Sequence, residues 1–138
     1  MRYLGLDLGT RTLGLSISDR LGKIATSYKV LHHEDNHESL INDLKDIVKQ
    51  EKIEAFVLGF PKNMNNTIGP RGEASISFKE KLIEEFKLPV YLIDERLTTV
   101  EATNILIKND TSRKKRKKVI DSLAATIILQ SYLDRKGE

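Results

Sequence analysis

Residues 2–8 alternate apolar and other side chains around Leu4, Leu6 and Leu8, the period-two pattern of a strand. Leu13, Leu15 and Ile17 alternate with Gly14, Ser16 and Ser18 in the same way, and the short turn Gly9-Thr10-Arg11 between the two runs predicts a hairpin. Asp19 to Gly22 reads as a second turn. Residues 24–31, with Ile24, Tyr28, Val30 and Leu31, read as a third strand. The period then lengthens. Across residues 35–50, Leu40, Ile41, Leu44, Ile47 and Val48 form one apolar stripe at helical spacing, and Asp35 and Glu38 have the spacing of a capping box. Residues 55–59 are a short continuous apolar run, as in a strand covered on both faces. Residues 60–72 hold two prolines, two glycines and three asparagines and predict a loop. Ala74, Phe78, Leu82 and Phe86 recur every four residues and mark a second helix, and residues 89–93 give another short strand. Thr98 and Glu101 have capping-box spacing, predicting a third helix to about residue 108. Residues 119–133 predict a last helix, apolar nearly all round and therefore well buried.

Strand–helix–strand units require a parallel portion of sheet, and the hairpins require an antiparallel portion. The expected fold class is therefore α/β: a mixed five-stranded sheet with helices on both faces. The chain has 138 residues, which fits one domain over 1–138.

Composition narrows the classes. The chain has no cysteine, which removes disulfides and thiolate metal sites and fits a reducing, cytoplasmic setting. The early Asp7 interrupts any signal-peptide apolar core, and no apolar run approaches the ~20 residues of a membrane helix. The net charge is +3, but six of the 23 Lys and Arg residues stand together as Arg113-Lys114-Lys115-Arg116-Lys117-Lys118, so the rest of the chain is net acidic. A run of this kind suits either a solvated surface loop or a polyanionic partner. It lies just before, or in the first turn of, the last helix, where it opposes the helix dipole and, with the free N–H groups there, suits phosphate.

Three acids stand where a core prefers something else. Asp7 sits among Leu4, Leu6 and Leu8 at a strand end, with Gly9 leaving room for a ligand to approach the backbone. Asp94 and Glu95 follow the strand 89–93, again at a C-terminal strand end, where ligands bind in open α/β sheets. Asp121 lies near the start of the last helix. Each has a structural explanation taken singly: bonds from the glycine turn, a pair with Arg96, a favoured helix-start acid. Taken together, three converging carboxylates repel one another unless a divalent cation is held between them, and oxygen ligands suit Mg²⁺ or Mn²⁺. His32, His33 and His37 flank a strand end with no cysteine near, and a transition-metal role for them is not favoured. Tyr3, Tyr28, Tyr91 and Tyr132 are too scattered along the chain for a base-stacking platform.

Several segments resemble the YqgF/RuvX family of pre-16S rRNA nucleases and Holliday junction resolvases. These are Gly5-Leu6-Asp7-Leu8-Gly9-Thr10, Ser16-Ile17-Ser18-Asp19, Gly59-Phe60-Pro61-Lys62-Asn63-Met64 with Gly69-Pro70-Arg71, Asp94-Glu95-Arg96-Leu97-Thr98-Thr99, and Lys118-Val119-Ile120-Asp121-Ser122-Leu123-Ala124-Ala125. Each motif is weak alone, but their order and spacing run nearly the whole chain. The resemblance implies a ribonuclease H-like three-layer fold and a metal-dependent nuclease of the two-metal type, cutting phosphodiester bonds to leave 5′-phosphate and 3′-hydroxyl ends. It implies Asp7, Glu95 and Asp121 as the catalytic, metal-holding acids, with Asp7 central. Arg11, Asn63, Arg71, Arg96 and the run Arg113, Lys114, Lys115, Arg116, Lys117 and Lys118 are the expected substrate-binding residues. Where the family often has two basic residues after the first strand, this chain has Arg11-Thr12, with one basic side chain fewer. The implied task is processing of the 5′ end of pre-16S rRNA, with RNA favoured over DNA.

Three alternatives stand beside this. A Holliday junction resolvase would need a dimer presenting two sites; no sequence feature identifies a dimer interface, so a weak homodimer stays open. A non-catalytic RNA-binding factor of ribosome assembly would use the fold and the basic run alone. Asp7-Leu8-Gly9-Thr10 also resembles the phosphate loop of the actin and hexokinase superfamily, whose members hold ATP between two such domains where this chain has room for one.

Overall fold

The computed structural model describes residues 1–9, 11–33, 37–60, 70–94 and 113–136, with backbone alone at 70, 71, 94, 113–122 and 136. Its strands are β1 (Tyr3–Leu8), β2 (Thr12–Ser18), β3 (Ala25–His32), β4 (Ala55–Phe60) and β5 (Val90–Asp94), arranged in one sheet in the order β3-β2-β1-β4-β5. β2 pairs antiparallel with β1 and β3, and β4 pairs parallel with β1 and β5. Tight turns suffice for the antiparallel pairs, whereas parallel strands need a crossover. Helix α1 (His37–Glu51) links β3 to β4, helix α2 (Pro70–Phe86) links β4 to β5, and helix α3 (Arg113–Lys136) closes the chain.

Alternation along the strands sorts the two faces of the sheet. Leu4, Leu6 and Leu8 of β1 pack with Phe56 and Leu58 of β4 against Leu40 and Leu44 of α1 and Phe78 and Leu82 of α2. The opposite set, Tyr3, Ala55, Val57 and Ile93, packs against Ile128, Leu129 and Leu133 of α3. β4 is buried at every residue, which is why it reads as an unbroken apolar run. The mixed five-stranded α/β expectation is met, with helices on both faces.

Some boundaries differ from expectation. Phe60 belongs to β4, and residues 70–72 open α2 instead of ending a loop. Proline is favoured in the first helical turn, where its missing N–H has no partner to lose. The last helix begins at Arg113, six residues before the expected start, so the basic run is helical. Lysine and arginine are good helix formers, but a stretch with no apolar residue shows no periodicity to reveal it. The predicted helix over 98–108 lies outside the described residues. The Asp19–Gly22 turn is as expected. The Asp19 carboxylate accepts the N–H groups of Lys23 at 2.7 Å and Ile24 at 3.1 Å, and Gly22 takes a φ of 68°. Those backbone bonds hold the Asp19 carboxyl below its ordinary range. Its contribution is therefore present above the unfolded aspartate pKa and is lost as pH falls through the folded one.

A candidate active site where β1 meets the last helix

The site is organised by how closely α3 lies on β1 and β2. Gly5 has no side chain because there is no room for one. A Cβ there would collide with Ser16 Oγ and stand 2.8 Å from Leu129 Cβ and 3.0 Å from the Ala125 carbonyl oxygen. Ser16, fully buried, donates its hydroxyl to that same carbonyl at 2.7 Å. Small residues thus let the helix backbone approach the sheet and bond to it directly.

Contacts along this seam give its direction. The Tyr3 and Tyr132 rings lie edge to face at 5.6 Å, and Gly5 abuts Leu129 and Ala125. On β3, Ala25 N–H reaches Gln130 Oε1 at 2.8 Å and Ser27 Oγ meets Thr126 Oγ1 at 2.9 Å. Sequence number rises along the strands as it falls along α3, so the helix runs antiparallel to β1. One step further on β1, two residues or about 6.6 Å, is Asp7. One turn further on α3, four residues from Ala125 or about 6 Å, is Asp121. The backbone of Asp121 is therefore level with Asp7, on the face of the sheet that Asp7 shares with Tyr3 and Gly5.

Asp7 stands half-buried near the C-terminal end of β1. Its partner on β2 is Gly14. On the other side Leu6 pairs with Leu58, so the next position of β4 beside Asp7 is Gly59. Glycine on both flanks keeps the adjoining positions of that row small, which leaves room for a ligand to approach. Gly59 in turn pairs with Ile93, two residues before Glu95.

The other expected residues are placed as follows. Arg11 is exposed in the β1–β2 turn. Arg71 lies in the first turn of α2, not in a loop, and Arg113, Lys114, Lys115, Arg116, Lys117 and Lys118 form the first turns of α3. Asp94 is the last residue of β5, paired with Phe60, instead of following the strand. Glu95, Arg96 and Asn63 lie outside the described residues. Among the described residues no group of three His, Asp or Glu side chains converges to hold a metal, and only Asp7 of the three expected acids has a described side chain. The donor chemistry of Asp7, a half-buried carboxylate oxygen between two glycines, fits a hard divalent cation.

Sequence reasoning missed three features. Gly5 and Ser16 carry the contact with α3; their signal is the small side chains on one face of two otherwise leucine-rich strands. His33 turns inward and is 6% exposed. Three of the scattered tyrosines meet: Tyr132 is stacked on Tyr91 at 5.0 Å and edge-on to Tyr3. Burial first, then Tyr3 and Tyr91, push the Tyr132 hydroxyl above its ordinary range. Tyr132 thus ties α3 to β1 and β5, with Tyr91 level with Gly5 through Val57. A separate pocket lined by Arg2, Arg20, Glu51 and Glu54 lies at the opposite end of β1, and Arg2 there is already held by the Ser18 carbonyl and by Glu51.

Comparison with known proteins adds three findings. The model of the RuvX family, described as Holliday junction resolvase, matches residues 1–135. A Ligilactobacillus salivarius protein named "Putative pre-16S rRNA nuclease" is 52% identical over 139 residues, spanning 99% of this chain and 95% of that protein. A Geobacillus protein of the same name is 53% identical over 137 residues, spanning 99% of both. Among solved structures, Thermus thermophilus RuvC in complex with a Holliday junction substrate superposes with a TM-score of 0.64 at 16% identity, covering 99% of this chain and 96% of that one. The fowlpox virus Holliday junction resolvase gives 0.61 at 15% identity, covering 99% of both. These two likenesses carry the fold, which is ribonuclease H-like as expected.

Proposed function

The chain belongs to the RuvX family, and from that premise we propose that it is a divalent-metal-dependent nuclease whose substrate is the 5′ end of pre-16S rRNA. The reading rests above all on the level placement of Asp7 and Asp121 across the β1–α3 seam. It is supported by the names of relatives more than half identical over nearly their whole length. Residues 1–138 act in it as one nuclease domain.

Asp7 is the central acid. Asp121 and Glu95, the residue that follows β5, complete the set. Carboxylates that converge repel one another, and a Mg²⁺ or Mn²⁺ ion held among them would remove that repulsion. Bound there, such ions supply Lewis-acid charge and a lowered pKa for a bound water. The protein's own part is to position the substrate. Arg11 on the β1–β2 turn and Arg96 beside Glu95 hold phosphate oxygens, and Asn63 and Arg71 contact the strand from the β4–α2 side. The six cations of residues 113–118 and the free N–H groups that start α3 face the nucleic-acid backbone, with Asp121 in the next turn.

Positive charge at a helix N-terminus opposes the dipole, so these cations cost the free protein stability and serve binding. Replacing Lys114, Lys115, Lys117 and Lys118 with glutamine is expected to leave the melting temperature unchanged or raised. The same variant should flatten the dependence of log affinity for single-stranded RNA on log salt by roughly 3, at about 0.7 for each phosphate no longer neutralised. An unchanged slope in fluorescence-anisotropy titrations would remove the run from the interface.

The family description favours a second reading, cleavage of a four-way DNA junction, which would need a homodimer to present two sites. One assay separates them: end-labelled pre-16S rRNA fragment, single-stranded RNA, duplex DNA and four-way junction, each with pure protein and Mg²⁺ or Mn²⁺. The rRNA reading expects cutting of the precursor by a monomer. Symmetric cutting of the junction alone, by a dimer, would replace it.

A further inference from the structure

We infer that His33 is a positioning residue for this site: by donating its Nε2–H to the Gly9 carbonyl it fixes the turn that follows Asp7 and carries Arg11. The inference rests on the reading of Asp7 as the central acid.

His33 directly follows β3, and its place beside the β1–β2 turn is set by the pairing of His32 with Thr12. It grips that turn at two points. Its backbone N–H donates to the Arg11 carbonyl at 2.9 Å, and its Nε2 lies 3.1 Å from the Gly9 carbonyl oxygen. A carbonyl can only accept, so the ring proton sits on Nε2. The turn is closed on itself by Gly9 N–H to the Thr12 carbonyl at 2.8 Å. Behind His33 the ring meets His37 edge-on at 5.8 Å, and His37 meets Phe78 of α2 at 5.3 Å, so the imidazole is wedged between the turn and the helices.

The ring is poorly explained as packing. Its Nδ1 is buried and finds no hydrogen-bond partner among the described residues, and a buried polar atom left so costs about 1–3 kcal/mol. Leucine would fill the space without that cost. What leucine lacks is a donor for Gly9. The backbone needs that donor at Gly9, because glycine is the residue least constrained by its own sterics. Gly9 lies two residues beyond Asp7, and a swing there moves both Asp7 and Arg11. A displacement of about 1 Å in a positioned group can cost about 10²-fold in rate.

The test compares His33→Leu, which fills the site without a donor, with His33→Gln, whose amide nitrogen reaches about where Nε2 stands. Asp7→Asn runs beside them. Mn²⁺ binding to each protein without substrate is followed by electron paramagnetic resonance, together with kcat, KM and melting temperature. The expected result is Mn²⁺ affinity and kcat lowered about 10- to 100-fold in His33→Leu, the range typical of groups that orient a metal ligand. His33→Gln should return to within a few-fold of wild type, and KM should rise in His33→Leu through Arg11. Should His33→Leu not fold at the assay temperature, His33→Asn, polar but too short to reach Gly9, takes its place with the same expectation. Losses that follow melting temperature equally in the leucine and glutamine variants would overturn the inference, as would wild-type Mn²⁺ binding in the variant without a donor. If Asp7→Asn abolishes Mn²⁺ binding while His33→Leu retains it, the inference alone fails. If Asp7→Asn also binds as wild type, the reading of the site fails and the inference with it.

Discussion

Asp7→Asn is expected to reduce cleavage by about 10³-fold or more, since an ion's charge stabilisation is worth several kcal/mol and each 1.4 kcal/mol is tenfold in rate. The substitution keeps the shape of the side chain in a row flanked by Gly14 and, by register, Gly59. The two proteins should part on adding Mn²⁺. Wild type gains stability through binding to the native state, in proportion to the logarithm of ion concentration over Kd, and Asp7→Asn gains little. Calorimetric scans across a Mn²⁺ series check this. Equal gains in both would mean that the ion binds elsewhere.

Gly5→Ala is the second large effect. It is expected to lower stability by about 1–3 kcal/mol, as overpacking does, or about 3–10 °C in Tm for a domain of this size. Elsewhere in a strand the change would be slightly favourable, since glycine loses more freedom on folding. Here the new Cβ collides with Ser16 Oγ. Ser16 can rotate away only by giving up its 2.7 Å bond to the Ala125 carbonyl, worth about 0.5–1.5 kcal/mol. The clashes with Leu129 Cβ and the Ala125 carbonyl remain, and both atoms are anchored in α3, so the helix must move off β1. That movement separates Asp121 from Asp7. Cleavage should therefore fall further than the loss of folded protein accounts for, measured well below Tm. Ser16→Ala in the same background should restore only part of the stability. An unchanged Tm for Gly5→Ala would show that α3 is not seated as described.

The parts of the fold legible in the sequence are those set by local periodicity. Leu4, Leu6 and Leu8 announce β1, and the stripe from Leu40 to Val48 announces α1, because one buried face imposes its spacing on the chain. The start of α3 is hidden because residues 113–118 are all cations. Pro70 reads as loop because of the prolines, glycines and asparagines around it. Of the site, Asp7 and Asp121 stand out as charges in apolar surroundings, and their level placement bears on that reading, while Glu95, Arg96 and Asn63 lie outside the described residues. What cannot be read locally depends on segments distant in sequence. Gly5 and Ser16 matter through Ala125, more than one hundred residues on. His33 matters through Gly9, across two strands. The tyrosines come together only because β1, β5 and α3 share one face of the sheet.

The central claim is that Asp7, Asp121 and Glu95 together hold the divalent ions at the C-terminal end of β1. Anomalous diffraction from crystals grown with Mn²⁺ tests it most directly. The expected result is a manganese peak in direct contact with the Asp7 carboxylate, shared with Asp121 from α3 and Glu95 from beyond β5. A peak that leaves Asp7 out, or that rests on His32, His33 or His37, would contradict it.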